Sequence, residues 1–146
     1  MGVVGLQNLG NTCFLNSSLQ CLSNTWELTN YFLKRLHEEE INMDNPLGST
    51  KAHLVKTYSQ LVNALWFGRQ RSLSPFQFKR ALGEFQPNFK GYNQHDSHEA
   101  LNFILDGIHE DLNRVKKKPL VESKASNNRP DAVVAHESWV GHLRRN

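Results

Sequence analysis

The sequence predicts a mainly α-helical protein, and three observations lead to that prediction. Apolar side chains recur every three or four residues in successive segments, which is the spacing of a helix with one buried face. Residues typical of helix starts precede these segments. Few stretches alternate between apolar and polar residues, so little β-strand is expected. With 146 residues, 38% hydrophobic and 21% charged, the chain suits one globular domain or part of a larger one.

Six segments carry the helical spacing. In chain order they are residues 13–22, 25–36, 54–68, 75–82, 96–115 and 131–143. Residues suited to the N-cap or first position begin all of them except 54–68: Thr12, Thr25, Ser74 with Pro75, Asp96 and Asp131. Glu99 follows Asp96 by three residues and completes a predicted capping box. The intervening segments are predicted loops, and the resulting organisation is a helical unit (1–115), a basic surface loop (116–130) and a terminal helix (131–146).

Composition narrows the class of protein. No apolar run approaches the roughly 20 residues of a membrane span, and the N-terminus lacks the features of a signal peptide. The two cysteines are too few for a disulfide framework or a four-cysteine zinc site. We therefore expect a reducing, intracellular setting, in the cytoplasm or nucleus, with no membrane partner.

Charge is uneven along the chain. Residues 1–113 carry nine basic and eleven acidic side chains, a net of −2, whereas residues 114–146 carry eight basic and three acidic, a net of +5. A basic cluster is one signature of nucleic-acid binding. No aromatic side chains are interleaved with Lys116–Lys118, however, and cations also suit the end of a helix. We favour a solvated surface and expect no nucleic-acid partner.

The first candidate site is the junction between a Gly- and Asn-rich loop and a helix beginning at Cys13. Unpaired N–H groups and the helix dipole stabilise a thiolate there, and an amide such as Asn8 is able to donate to an oxyanion. From the residues alone, a small buried hydrophobe explains Cys13 as well as a nucleophile does. Cys21 is eight positions further along the same helix and is predicted to belong to the core.

The second candidate site is the polar cluster from Tyr92 to Glu99 at the start of another helix. Helix capping accounts for its acidic residues. A metal site is the competing interpretation, because His95, His98 and His109 are close in sequence. The segment lacks the second histidine of a zincin and no cysteine pair supports zinc, so we expect no metal and no cofactor.

These two junctions carry a resemblance to a known family. Gly5–Ser17, with the sequence GLQNLGNTCFLNS, resembles the cysteine box of the ubiquitin-specific proteases. Gly91–Glu99, with the sequence GYNQHDSHE, is similar to the family's second block, although Asn93 replaces a common Gln. Residues 109–131 are similar to the large multidomain branch, whose catalytic domain carries an insertion. The resemblance covers essentially the whole chain.

The resemblance implies a fold, an activity and a partner. The fold is the helical thumb lobe of a papain-like α+β cysteine protease domain, with palm and fingers absent. Cys13 matches the nucleophile that attacks the carbonyl after the C-terminal glycine of ubiquitin, and Asn8 matches the oxyanion amide. Gln94, His95 and Asp96 match residues that line the channel for the arginine-rich ubiquitin tail, where an acidic acceptor is suitable. Ubiquitin and ubiquitinated proteins are the implied partners.

The family's later box, which supplies the general-base histidine, is not found in these 146 residues, nor are the paired cysteines of its zinc-binding fingers. None of the chain's seven histidines stands in such a box: His37, His53, His95, His98, His109, His136 and His142. We therefore expect the N-terminal part of a catalytic domain, with little turnover by itself. The alternative is a ubiquitin-binding or regulatory fragment without chemistry.

Overall fold

The computed structural model describes residues 2–45, 50–115, 119 and 127–145. The helices are α1 (Cys13–Ser23), α2 (Trp26–Leu33), α3 (His37–Glu40), α4 (His53–Phe67), α5 (Phe76–Phe85), α6 (Ser97–Asp111) and α7 (Asp131–Arg145). Two 3₁₀ turns are Thr50–Ala52 and Pro87–Lys90, and two short strands are β1 (Gly5–Leu6) and β2 (Ser72–Leu73). The mainly α prediction is confirmed.

Helix α4 lies at the centre of the core. It packs against α2, α5 and α6, while α1 packs against α2 and α6. The stripe predicted on α4 is buried as expected: Leu54, Tyr58, Leu61, Val62 and Leu65. Burial of each such leucine stabilises the fold by roughly 1.5–3 kcal/mol. The packing of α4 therefore supports α6, which carries the second junction, whereas α1, which carries the first, is held by α2 and α6.

The two strands are a feature that the spacing of residues did not predict. β1 pairs with β2 in parallel, with Gly5 beside Ser72 and Leu6 beside Leu73. Hydrogen bonds from Gly5 N to Arg71 O and from Gln7 N to Leu73 O, both 2.9 Å, extend the pairing. The start of the predicted loop is therefore a strand. It was not predicted because two residues are too few to show an alternation of apolar and polar side chains.

The second predicted helix, residues 25–36, is interrupted. α2 ends at Leu33, Arg35 has a left-handed backbone (φ 61°), and α3 begins at His37. Leu36 is exposed, whereas the His37 ring is buried, with its centroid 4.8 Å from that of Phe32. The break places His37 in the core and Leu36 at the surface. The prediction from helical spacing that Leu36 lies on the buried face is therefore wrong.

Smaller differences concern helix ends. Pro75, not Ser74, is the N-cap of α5, and Asp131 is the first residue of α7. α6 ends at Asp111 instead of continuing to Val115, and the fully buried Asp111 carboxylate accepts a hydrogen bond from Val55 N (3.1 Å) in the first turn of α4. A distant helix therefore supplies the cap that α4 lacks locally.

Two of the basic residues beyond Asn113 are paired with acids. Arg114 lies 2.8 Å from Glu40, and Arg129 lies 2.9 Å from Glu137. Most of the predicted basic loop, residues 116–118 and 120–126, lies outside the described residues. Across the described ranges, no helix has both the length and the apolar character needed to cross a bilayer.

Candidate active site

The loop before Cys13 is fastened to α1 by two side chains of that helix. Gln20 Nε2 donates to Val4 O (3.1 Å), and Asn16 Nδ2 donates to Gln7 O (3.1 Å). The pairing of β1 with β2 holds the other side of the same segment. The position of the loop relative to the start of α1 is therefore fixed from both sides. We call residues 7–12 the cysteine loop.

Asn8 organises the cysteine loop from within. Its Oδ1 accepts hydrogen bonds from Gly10 N (3.0 Å), Thr12 N (3.1 Å) and Thr12 Oγ1 (3.2 Å). The Thr12 hydroxyl in turn accepts from Leu9 N (2.9 Å). Three donors on one oxygen fix the orientation of the amide. Asn8 Nδ2 therefore points away from these donors, and it has no acceptor among the described residues, so it remains available to a substrate oxygen.

Thr12 occupies the N-cap position of α1, as predicted, but it does not cap the helix. Its hydroxyl is used within the loop, and it makes no hydrogen bond to the first turn. The first backbone bond into α1 runs from Asn16 N to Thr12 O (2.9 Å). In the described part of the chain, the N–H groups of residues 13–15 consequently have no acceptor. The start of α1 is thus an uncapped anion-binding end beside the thiol.

Both cysteines are unpaired thiols on the surface. The interpretation of Cys13 as a small buried hydrophobe is therefore wrong, and so is the prediction that Cys21 belongs to the core. The buried face of α1 includes Leu15, Leu19 and Leu22. Cys21 is two residues from Leu19, about 200° around the helix, and so it lies on the opposite, solvent-facing side.

Asp96 caps α6, as predicted. Its Oδ1 accepts hydrogen bonds from His98 N (2.6 Å) and Glu99 N (3.2 Å). Both bonds use the same oxygen, and within the described ranges Oδ2 has no partner. The capping role that explained Asp96 from the sequence therefore occupies only half of its carboxylate. The other oxygen is available to accept a donor from outside the chain.

The neighbours of Asp96 differ in their surroundings. Gln94 is exposed. The His95 ring instead packs edge-on against Phe14 and Phe89, with centroid distances of 5.1 and 4.8 Å, and its Nε2 is buried without a partner among the described residues. His95 therefore joins the second junction to the first turn of α1, because Phe14 is the residue next to Cys13.

A second contact joins the two helices that begin at the junctions. Ser18 Oγ, on the buried side of α1, lies 2.9 Å from Ser97 O at the start of α6 and 3.0 Å from Phe14 O. Together with the His95 packing, this contact brings the cysteine junction and the Asp96 junction into one region of the surface. The described residues hold no cluster of three His, Cys, Asp or Glu able to bind a metal ion.

Comparison with known proteins identifies the family of the chain. Residues 4–144 match the family model of ubiquitin carboxyl-terminal hydrolase. The chain belongs to this family. Ubiquitin carboxyl-terminal hydrolase 4 of Rattus norvegicus is 59% identical over 145 residues, and ubiquitin carboxyl-terminal hydrolase 15 of Xenopus tropicalis is 51% identical. Each alignment covers 99% of this chain but 15% of the relative, so the chain spans about a seventh of their length.

A solved structure resembles the fold. The SAGA Ubp8/Sgf11/Sus1/Sgf73 DUB module bound to ubiquitin aldehyde contains a chain that superposes with a TM-score of 0.60 at 26% identity. The match covers 82% of this chain and 27% of that one. Both the family and the mainly helical partial fold are therefore established for this ubiquitin carboxyl-terminal hydrolase family member.

Several contacts that shape this region were not predicted from the sequence. One is the hydrogen bond that the Thr12 hydroxyl accepts within the cysteine loop. The others are the hydrogen bond from Asn11 Nδ2 to Tyr92 O (2.9 Å) and the position of Lys79 over the Tyr92 ring. The Asn11–Tyr92 contact lay within the two recognised motifs. Nothing in the sequence around Lys79, on α5, indicates a role beside them.

Proposed function

We propose that this chain carries the nucleophile-bearing part of a thiol-dependent deubiquitinase. One observation carries the proposal. An exposed thiol, Cys13, stands at an uncapped helix start, beside an Asn8 amide whose orientation is fixed by three hydrogen bonds. Membership of the ubiquitin carboxyl-terminal hydrolase family supplies the reaction class.

In the proposed reaction the Cys13 thiolate attacks the carbonyl carbon of the C-terminal glycine of ubiquitin. A carbon–sulfur bond forms, and the carbonyl electrons move onto the oxygen. Asn8 Nδ2 and the free N–H groups at the start of α1 donate to this oxyanion. The intermediate then collapses, the carbon–nitrogen bond breaks, and the amine leaves with a proton. Water later hydrolyses the thioester and releases ubiquitin.

The proposed substrate contacts lie at the second junction. Asp96 Oδ2 accepts N–H or guanidinium donors of the arginine-rich ubiquitin tail, and the exposed Gln94 contributes a side-chain amide. His95 contributes mainly by packing against Phe14, which keeps this segment beside the cysteine junction. The family motif implies that residues at these three positions line the channel for the ubiquitin tail, and we propose a specific contact for each of them.

The proton for the leaving amine needs a general acid–base group. Among the described residues, Cys13 has no hydrogen bond to a histidine, and this supports the further proposal that the 146 residues turn over slowly by themselves. If so, free imidazole should substitute in part for the missing base. A ubiquitin–fluorophore amide is the substrate for this test, and Cys13→Ala is the control.

We expect imidazole to raise turnover in proportion to its concentration in the wild-type chain and to leave Cys13→Ala at background. Full family-like turnover without imidazole would disprove the proposed slow turnover. No Cys13-dependent turnover at any imidazole concentration would favour the second candidate, a ubiquitin-binding fragment without chemistry. That candidate also requires ubiquitin affinity to be unchanged in Cys13→Ala.

A further inference from the structure

Tyr92 contacts the cysteine loop although it belongs to the segment before α6. Its carbonyl oxygen accepts a hydrogen bond from Asn11 Nδ2 (2.9 Å). Its ring lies against Gly10, where an added Cβ would be 3.2 Å from Cδ1. Because 71% of Tyr92 is exposed, burial of apolar surface does not explain its position. The contacts themselves hold the ring there.

The part of the cysteine loop that meets Tyr92 has an unusual backbone. Gly10 has φ 98° and Asn11 has φ 53°, so two consecutive residues are left-handed. Such conformations persist when surrounding contacts hold them, since they cost free energy for residues other than glycine. Asn8 holds the loop from one side, and Tyr92 is its partner on the other.

Lys79 of α5 completes this arrangement. Its Nζ lies 5.1 Å from the centroid of the Tyr92 ring and donates to Gly91 O (2.9 Å) and, at 3.5 Å, to Lys90 O. One ammonium group therefore contacts both the ring and the backbone of the segment that leads to Asp96. The cation lies against a ring, which favours positive charge at its face.

We propose that Lys79 and Tyr92 are positioning residues that set the separation between the cysteine loop and the Gln94–Asp96 segment. We call this pair the Lys79–Tyr92 clamp. Neither residue needs to touch the reacting atoms. Resting on the proposed function, the inference is that the clamp keeps open and aligned the gap through which the ubiquitin tail reaches Cys13.

A clamp at the surface is expected to affect geometry more than stability. Lys79 is half-buried and Tyr92 is exposed, and neither belongs to the buried core cluster. Removing it should therefore leave the free energy of unfolding nearly unchanged. It should instead increase opening of the cysteine loop, reported by the amide groups of Leu9, Gly10 and Thr12, which are bonded within the loop.

The test compares wild type with four single variants of the clamp, with the double variant that carries Lys79→Met and Tyr92→Ala, and with one control variant, all in the 146-residue chain. Lys79→Met and Tyr92→Ala remove the two halves of the clamp, whereas Lys79→Arg retains a cation and Tyr92→Phe retains the ring. Lys34→Met is the control, because it removes an exposed lysine that has no described contact with the cysteine loop or with the Gln94–Asp96 segment. Hydrogen exchange of the three loop amides is measured first, with amides of α4 as an internal reference.

We expect Lys79→Met and Tyr92→Ala each to speed exchange of the loop amides about two- to fivefold, the effect of one exposed cation–π contact. The variant with both substitutions should speed exchange by less than the product of the two single effects, because both single substitutions remove the same cation–π contact. Tyr92→Phe and Lys34→Met should match wild type, and Lys79→Arg should recover most of the protection. Unchanged exchange in both removing variants would overturn the clamp.

The second readout is the rate at which ubiquitin bearing a C-terminal electrophile labels Cys13, compared with iodoacetamide. The clamp predicts slower ubiquitin labelling, by about two- to fivefold, with unchanged iodoacetamide labelling. Equal ubiquitin labelling in all variants would overturn its role in the tail channel. If ubiquitin fails to label even the wild type, the proposed function fails, while the exchange result still decides whether the clamp exists.

Discussion

Replacing Asn8 with Asp separates the two roles that we assign to the Asn8 side chain. An aspartate oxygen is able to accept the three hydrogen bonds that Oδ1 now accepts from Gly10 N, Thr12 N and Thr12 Oγ1. The Nδ2 donor is lost. The cysteine loop should therefore remain folded, with the free energy of unfolding changed by less than about 1 kcal/mol. Asn8→Ala removes both roles and should lower it by about 2 kcal/mol.

The two substitutions should weaken the reaction at Cys13 equally, although they differ in their effect on stability. Ubiquitin with a C-terminal aldehyde forms a hemithioacetal with a thiol, and its oxygen occupies the place of the oxyanion. Loss of one charge-assisted donor should weaken this adduct by about 10- to 100-fold in both Asn8→Asp and Asn8→Ala. Denaturant unfolding and aldehyde affinity, measured on the same samples, separate the two roles.

A second probe controls for the added charge of aspartate. Ubiquitin bearing a C-terminal Michael acceptor reports the reactivity of the Cys13 thiolate without a carbonyl oxygen in that place. The loss on this probe should be smaller than the loss on the aldehyde. The assignment of Asn8 Nδ2 as the oxyanion donor is refuted if Asn8→Asp keeps the aldehyde affinity of wild type, or if both probes weaken equally.

Three further changes test the supporting structure. Thr12→Val, which loses both loop hydrogen bonds of the hydroxyl, should cost about 1–2 kcal/mol of unfolding free energy and speed exchange of the Leu9 amide, and Thr12→Ser should restore both. Asp111→Ala leaves Val55 N at the start of α4 unpaired and should cost about 2 kcal/mol in denaturant unfolding, whereas no cost would show that the cap is dispensable. Burial lowers the pKa of His37 below its ordinary value of 6.5, so as the pH falls the unfolded chain binds a proton at this histidine before the folded chain does. The contribution of His37 to the free energy of unfolding should therefore be fully present above about pH 6.5 and be lost as the pH falls. His37→Gln should flatten the dependence of the unfolding free energy on pH, measured between about pH 7.5 and 5.5.

The helices were predictable because most of them have one continuous buried stripe. α4 follows the spacing of its apolar residues closely, whereas α6 buries Ile104 and Ile108 but leaves Leu105 exposed. The error at residues 34–37 has a local cause, since Arg35 takes a left-handed conformation and shifts the register of the two residues that follow it. Helical spacing alone assigned Leu36 to the buried face, whereas the new register buries His37. The pairing of β1 with β2 depends on residues more than sixty positions apart, which no local spacing shows.

The chemistry at the candidate site was predictable only in part. The motifs indicated Cys13, Asn8 and Asp96, and the capping role of Asp96 followed from its spacing to Glu99. The preference for threonine at the N-cap also predicted a cap at Thr12, but the Thr12 side chain does not bond the first turn of α1. Its hydroxyl instead donates to Asn8 Oδ1 and accepts from Leu9 N. The start of α1 is therefore left uncapped, which suits the thiolate that we propose at Cys13.

The position of Cys21 illustrates why composition misleads for a single residue. Cysteine is often buried, but residue 21 lies on the side of α1 opposite Leu15, Leu19 and Leu22. The position of a residue around its helix decided its exposure, not its hydrophobicity. The result is useful, because the chain contains a second exposed thiol on the same helix as Cys13.

The most direct test of the central claim uses that pair of thiols. The wild-type chain, Cys13→Ala and Cys21→Ala are each treated with ubiquitin bearing a C-terminal electrophile, and intact masses are measured beside an iodoacetamide reaction. We predict one ubiquitin adduct in wild type and in Cys21→Ala and none in Cys13→Ala, while iodoacetamide modifies whichever exposed thiols are present. A ubiquitin adduct on Cys21, or none on Cys13 despite its reaction with iodoacetamide, would contradict the claim that the uncapped start of α1 and the Asn8 loop form a site for the ubiquitin tail.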